Sequence, residues 1–165
     1  MFGSLQRIKL EVEVITIKQS KVADTRTCDF TKVTEEMLKS ATMSHIEDVR
    51  SGLAFLRDLI TAAQEKHDRT KLSEFESFYN AFKTGFDDNT WWEMHQREER
   101  HHFNNPEYVQ DDINLIDVLE QIVDGVMAGL ARSGEYRFEP LPDDLLQKAY
   151  MNTARLLIDN ITIED

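Results

Sequence analysis

The sequence predicts a mainly α-helical protein with a small β accessory, and three observations carry that prediction. Apolar residues recur at spacings of three and four through the middle and last third of the chain. Strict alternation of apolar and charged residues is confined to residues 8–14, with one further β-like run at the C-terminus. Helix-start signals stand before the periodic runs. The 165 residues are expected to form one domain. Within it, residues 1–33 would be the β accessory, 34–131 a helical core, and 132–165 a loop, a helix and a short strand.

Taken in order, IKLEVEV (8–14) reads as a half-buried strand that ITIK continues, and TRTCDF as a returning strand. Thr34 before Glu35 and Glu36 marks a helix start. From Ser44 to Lys66 the apolar positions Ile46, Val49, Leu53, Leu56 and Ile60 share one face, and Ser44 with Glu47 has the pattern of a capping box. HDRTKLS interrupts the pattern. Ser73 with Glu76 offers a second box, ahead of an aromatic stripe of Phe75, Phe78, Tyr79 and Phe82 that stops at Gly85. DDNT then supplies turn and cap residues, and FNNPEYVQDD reads as a loop. Ile113–Ala131 carries the strongest helical pattern. Asp143–Asp159 is the last helix, its early acids suited to a helix N-terminus. NITIED closes the chain as a short strand that would pair with the N-terminal one.

Composition narrows the function. The formal net charge is −12, and no basic run exceeds two residues, which argues against sequence-independent binding of DNA or RNA. A small phosphorylated ligand is still compatible, because a bound cation reverses the local potential. The single cysteine, Cys28, allows neither an internal disulfide nor a multi-cysteine zinc site. No stretch reads as a signal peptide or a membrane span, so the expected location is the cytoplasm, the host cytoplasm if the protein is viral.

The histidines are unevenly placed. Three of the five fall in WWEMHQREERHH (91–102), with both tryptophans. On a continuous helix His95 and His102 share a face and His101 points about 100° away; unwinding near the FNNPE loop would let both terminal histidines face one point. On the Ile113 helix, Asp117, Glu120 and Asp124 fall within roughly 60° of one another and border the apolar face, where carboxylates need partners. His67 and Asp68 lie where the helical pattern breaks, so both side chains can reach one ion, and Lys71 follows as a compact cation for a phosphate. Imidazoles with carboxylates suit Zn, Mn, Fe, Co or Ni. The plain alternative is a solvated acidic face and hydrogen-bonded histidines. Trp91 reads as core beside the phenylalanine stripe, against the alternative of a wall that stacks a nucleobase.

An upstream His, HDxxK, an H…HH cluster and an Asp within a later helix resemble, in order, the ligands of HD-domain metal-dependent phosphohydrolases. His45, His67-Asp68 and Asp124 match H…HD…D. HDRTK is similar to the HDxGK form of the HD-GYP branch, although position 70 is not glycine and no GYP follows. The chain also resembles a small phage and bacterial family reading roughly HDxSKxxxxEF, W..H…HH and EM..DW. The matching positions are His67, Asp68, Lys71, Ser73, Glu74 and Phe75, then Trp91, His95, His101 and His102, then Glu120 and Asp124, with Gly125 where that family has Trp.

The resemblance covers residues 45 to 130 and implies a helical bundle of HD-domain type. It implies one or two divalent metals (Mn, Fe, Zn, Co, Ni or Mg) held by His67, Asp68 and Asp124, with Asp68 as bridge and His45 completing the first site. His95 with His101 or His102 would hold a second metal or contact phosphate. Asp68, Lys71 and Glu120 are the expected catalytic set. Glu120 would orient a ligand histidine or act as base, and Lys71, with Arg69 or Arg100, would balance phosphate charge. The implied substrate is a nucleotide or other small phosphoester. The competing expectation is a phage-type accessory protein that binds a protein partner and keeps a structural or vestigial metal site. Oligomeric state is left open.

Overall fold

The computed structural model describes residues 14–164 apart from 21, 23–27 and 137–139. Most of the strand expected over 8–14 and the first half of TRTCDF fall outside the described residues. The chain forms two compact units, one of residues up to Asp58 together with 159–165, the other of Leu59–Ile158.

The first unit contains a two-stranded sheet. Strands β1 (Ile15–Lys18) and β2 (Ile161–Glu164) pair in parallel, with Ile15 opposite Ile161 and Lys18 opposite Glu164. The ITIK strand and its pairing with the C-terminal run are therefore as expected. Two parallel strands need a long connection, and here nearly the whole chain supplies it. Cys28–Phe30 does not form the expected returning strand. Asp29 accepts from the Thr31 amide and hydroxyl, and this cap turns residues Phe30–Lys32 into a single 3-10 turn. Helix α1 (Glu35–Lys66) begins in this unit. Thr34 caps it by accepting from the Met37 amide at 3.2 Å. Ser44 is not a helix start, because the helix is already formed there and needs no second cap. Glu47 ion-pairs with Arg50 instead.

The second unit takes the last turns of α1 and the shorter helices α2 (Arg69–Ser73), α3 (Phe75–Lys83) and α4 (Thr90–Glu98), then α5 (Leu115–Ser133) and α6 to Ile158, with α6 running Asp143–Asp159. Glu74, not Ser73, occupies the junction between α2 and α3, and it caps with no side-chain bond. Asn114 caps α5 by accepting from the Ile116 amide, while the Asp117 carboxylate accepts from the Asn114 amide at 2.9 Å, a capping box that the sequence reading did not find. Gly134, at φ 72°, closes α5 in the left-handed conformation that costs glycine least. Packing centres on Ile113, Val118 and Ala149, with Phe103, Leu115, Leu141 and Leu145 against them. Thr153 on α6 accepts from the Leu115 amide, and Asn152 donates to the Ile113 carbonyl, so polar bonds fix the start of α5 to α6. Among the described residues no helix is long and apolar enough to cross a membrane.

Candidate metal centre

His67 follows directly on the last turn of α1, its amide still bonded to the Ala63 carbonyl. Asp68 follows in the left-handed region, at φ 53° and ψ 25°. Aspartate visits this region more readily than most residues, and here it stops α1 and starts α2. Asp68 takes the N-cap position of α2 but makes no side-chain cap bond. Its carboxylate is therefore available elsewhere, and it lies amid the histidines. Oδ1 is 3.3 Å from His95 Nε2 and 3.9 Å from His101 Nε2, while Oδ2 is 3.5 Å from His67 Nε2 and paired with the Lys71 ammonium. Burial opposes the charge on Asp68, but His95 and Lys71 beside it outweigh burial and hold the carboxyl well below its usual range.

Helix α4 ends at Glu98, so His101 and His102 lie beyond it in a turn. That unwinding lets both rings reach the same place as His95. His102 Nε2 is 2.9 Å from His95 Nε2, and the His101 and His102 rings are 4.3 Å apart. Three sets of potential ligand atoms, each within 4.8 Å of one another, interlock: His67, His101 and Glu120; Asp68, His101 and His102; His67, Asp68 and Asp124. Burial, then the charges of His101 and His95, push the His102 imidazole down to about 3, so its ring is neutral and suited to ligation. Burial lowers His101 as well. The nearby Glu120 carboxylate, with Asp68 and Asp124, more than offsets that and raises it.

Helix α5 supplies the carboxylates, and the structure divides the acid stripe. Glu120 Oε1 accepts from His67 Nδ1 at 2.9 Å and lies 3.1 Å from His101 Nδ1. Burial resists its charge, and the His101 and His67 rings overcome that to lower its carboxyl. With Nδ1 bonded to Glu120, His67 Nε2 faces Asp68 and Asp124 Oδ1, the latter 3.8 Å away. Asp117 takes no part. Arg100 holds it in a bidentate pair, Nε to Oδ1 and Nη2 to Oδ2, both at 2.8 Å, while a further guanidinium nitrogen reaches Asp112 Oδ1 at 2.9 Å. Arg100 is therefore tied to the start of α5 and is not placed to balance phosphate, as the sequence reading had allowed. Arg69 is exposed. His45 is exposed on α1 in the first unit and belongs to none of the three ligand sets.

Two residues missed in the sequence complete the arrangement. His95 is wholly buried, and its Nδ1 lies 2.6 Å from the Thr70 hydroxyl. That hydroxyl donates to Glu99 Oε1 at 2.7 Å, and the Thr70 amide donates to the same oxygen at 2.8 Å. Since the hydroxyl proton goes to Glu99, Thr70 accepts from His95 Nδ1, and Nε2 is the nitrogen that faces Asp68 and His102. The signal was present, since Glu99 lies one helical turn after His95. Trp91 is buried, as expected of a core residue. Its ring packs on Phe78 at 4.6 Å and stacks on His95 at 4.9 Å and 14°, fixing the ligand's plane from one side.

The donor set fits a divalent cation. Asp68 Oδ1 and both ring nitrogens of His101 are buried with no hydrogen-bond partner, although His101 Nδ1 lies 3.1 Å from Glu120 Oε1. Buried polar atoms rarely go unpaired. Imidazole nitrogens turned toward each other and toward carboxylate oxygens are paired at once by a common cation. No protein-family model, curated protein or solved structure matches the chain.

Proposed function

We propose that the chain is a metal-dependent phosphohydrolase of HD type, acting on a nucleotide or another small phosphoester. One observation carries this reading: imidazoles from the end of α1 and from the α4 turn, with carboxylates from the α1–α2 junction and α5, converge on Asp68, and Asp68 Oδ1 and both ring nitrogens of His101 are buried there without hydrogen bonds. His67, Asp68 and Asp124 would hold one ion. Asp68, His101 and His102, with His95 beside them, would hold a second, and Asp68 is common to both groups. A divalent metal bound there supplies an acidified water and a polarised phosphoryl oxygen.

The remaining roles belong to the protein's own groups. Glu120 orients His67. A carboxyl held below its usual range, with one oxygen committed to His67, is a poor general base, which favours the orienting role. Thr70 and Glu99 orient His95. Lys71, paired with Asp68, brings a compact positive charge to the edge of the set, where it offsets charge on a bound phosphoryl group. Placing His67, Asp68, His95 and Asp124 on or next to helices keeps the donors in register before substrate arrives.

Metal analysis of the Mn²⁺-loaded protein beside His67→Ala and Asp124→Ala tests the reading. Bound metal in the wild type and its loss in both variants are expected, followed by metal-dependent release of phosphate from a phosphoester panel. Equal, negligible metal in all three proteins removes the proposal. Bound metal with no turnover across the panel would favour a structural site in an accessory protein.

A further inference from the structure

Beside the centre, within the second unit, lies a cleft of about 470 Å³, inside the range of small-molecule sites. Its chemistry is segregated. His67, Glu120 and Asp124 form one part, and this is where the cleft meets the ligand set. Elsewhere the lining is apolar: Ile60 and Ala63 from the end of α1, and Ile116, Leu119, Val123 and Met127 from α5. The α5 positions recur at spacings of three, four and four, one helical stripe running beside Glu120 and Asp124. Gln64 is the remaining lining residue, and neither lysine nor arginine contributes.

Three of the apolar positions on α5 are well exposed, at 46% for Leu119, 55% for Val123 and 63% for Met127, while Ile116 is buried. Single exposed apolar residues are ordinary, but a contiguous patch running into a polar centre marks a binding groove. A polyphosphate tail or second anion lying in this cleft would meet the Glu120 and Asp124 carboxylates and no cation. An apolar body would instead replace water along the Leu119–Val123–Met127 stripe. We propose that the substrate is a phosphoester carrying an apolar, ring-sized organic group, with the phosphoryl end at the His/Asp set and the ring on this stripe. Simple sugar phosphates and polyphosphate chains are thereby disfavoured. The assignment rests on the phosphohydrolase reading for its phosphoryl end.

The test uses non-hydrolysable ligands, so it does not depend on turnover. The full chain, loaded with Mn²⁺, is titrated calorimetrically with phenylphosphonate and with methylphosphonate. The phenyl compound is expected to bind at least about tenfold more tightly. In a Val123→Thr, Met127→Gln double variant that advantage should fall below about threefold, with metal content unchanged. Both side chains are largely exposed, so the fold should survive, and a thermal melt checks this. Equal affinity for the two phosphonates overturns the cleft assignment but leaves the phosphohydrolase reading standing. An undiminished preference in the double variant also overturns the assignment. Failure of the metal-loaded protein to bind either phosphonate overturns both. If the double variant instead dissociates a dimer, and the phenyl group confers no advantage on the wild type, the stripe joins two copies of the chain and the assignment falls.

Discussion

The Thr70 hydroxyl lies 2.6 Å from His95 Nδ1 and donates its own proton to Glu99, so it must accept from the imidazole. One buried hydroxyl thus fixes which nitrogen of a buried histidine carries the proton and which faces Asp68. Thr70→Val keeps the shape and removes the acceptor. It is expected to weaken Mn²⁺ or Zn²⁺ binding by about 10- to 100-fold, while Thr70→Ser keeps the wild-type affinity. Calorimetric titration measures both, and ¹⁵N NMR of the ring reports the tautomer directly. Unchanged affinity in Thr70→Val would show that the tautomer is set by something else.

The ligand sets make a prediction about a histidine outside them. His45 stands exposed in the first unit and joins none of the three groups. His45→Ala is therefore expected to keep the metal content of the wild type, whereas His101→Ala and Asp68→Asn should lose at least one equivalent. Atomic absorption on dialysed protein decides between them. Loss of metal in His45→Ala would restore the sequence expectation that His45 completes the first site.

Metal should stabilise the fold. A cation that binds only the folded chain adds about 2.7 kcal/mol at a free concentration one hundred times its Kd, enough to raise Tm by roughly 5–10 °C for a domain of this size. Adding EDTA should reverse the rise. A melt insensitive to both Mn²⁺ and Zn²⁺ would argue against ligation at the buried His/Asp set.

The metal-free protein should be least stable in acid. Glu120 and Asp68 have folded-state pKa values below the ordinary ones. Their stabilisation is complete above about pH 4.5 and is lost as pH falls through the folded values. His102 is depressed to about 3. Between pH of about 6.5 and 3 the unfolded chain takes up a proton there that the folded chain refuses, so stability falls as pH falls. His101 is raised, so its contribution is complete below about pH 6.5 and is lost as pH rises through its folded value. Stability should therefore peak near pH 6.5. Urea midpoints measured with EDTA between pH 4 and 8 check this, and His102→Gln should flatten the acid side. A midpoint that rises on acidification from pH 6.5 to 4 would contradict the assignment.

Arg100 and Asp117 tie the histidine turn to the start of α5. Asp117 is nearly buried and serves the guanidinium and the helix cap together. Asp117→Ala removes the pair and the reciprocal half of the capping box, and should cost about 2 kcal/mol, a figure reduced for the partial exposure of Arg100. A Tm lower by roughly 5 °C is the expected readout, with metal affinity falling as well, since His101 and His102 follow directly on Arg100. Wild-type stability in Asp117→Ala would show that the pair contributes only geometry.

Much of this protein was legible along the chain, and the part that was not has a common cause. Helical spacing found the runs that became α1, α3, α5 and α6, because a helix is held by bonds between residues four apart and its apolar stripe is written locally. The β1–β2 pairing was readable only as two compatible end segments. Where caps were misread, at Ser44 and Ser73, a local motif matched but the chain was already helical or turned one residue later. At the site, residue types were informative: His67, Asp68, His95, His101, His102, Glu120 and Asp124 do converge. The periodicity of α5 could not say that Asp117 is occupied by Arg100 while Glu120 and Asp124, one and two turns on, face the histidines. The sequence by itself determined the helical elements and the stock of ligand-type side chains. The tertiary structure decided which carboxylate meets which imidazole, that the end of α4 at Glu98 brings both His101 and His102 inward, and that Thr70 and Glu99 orient His95. Those choices depend on which faces of distant helices are pressed together, and no spacing within a single helix encodes that.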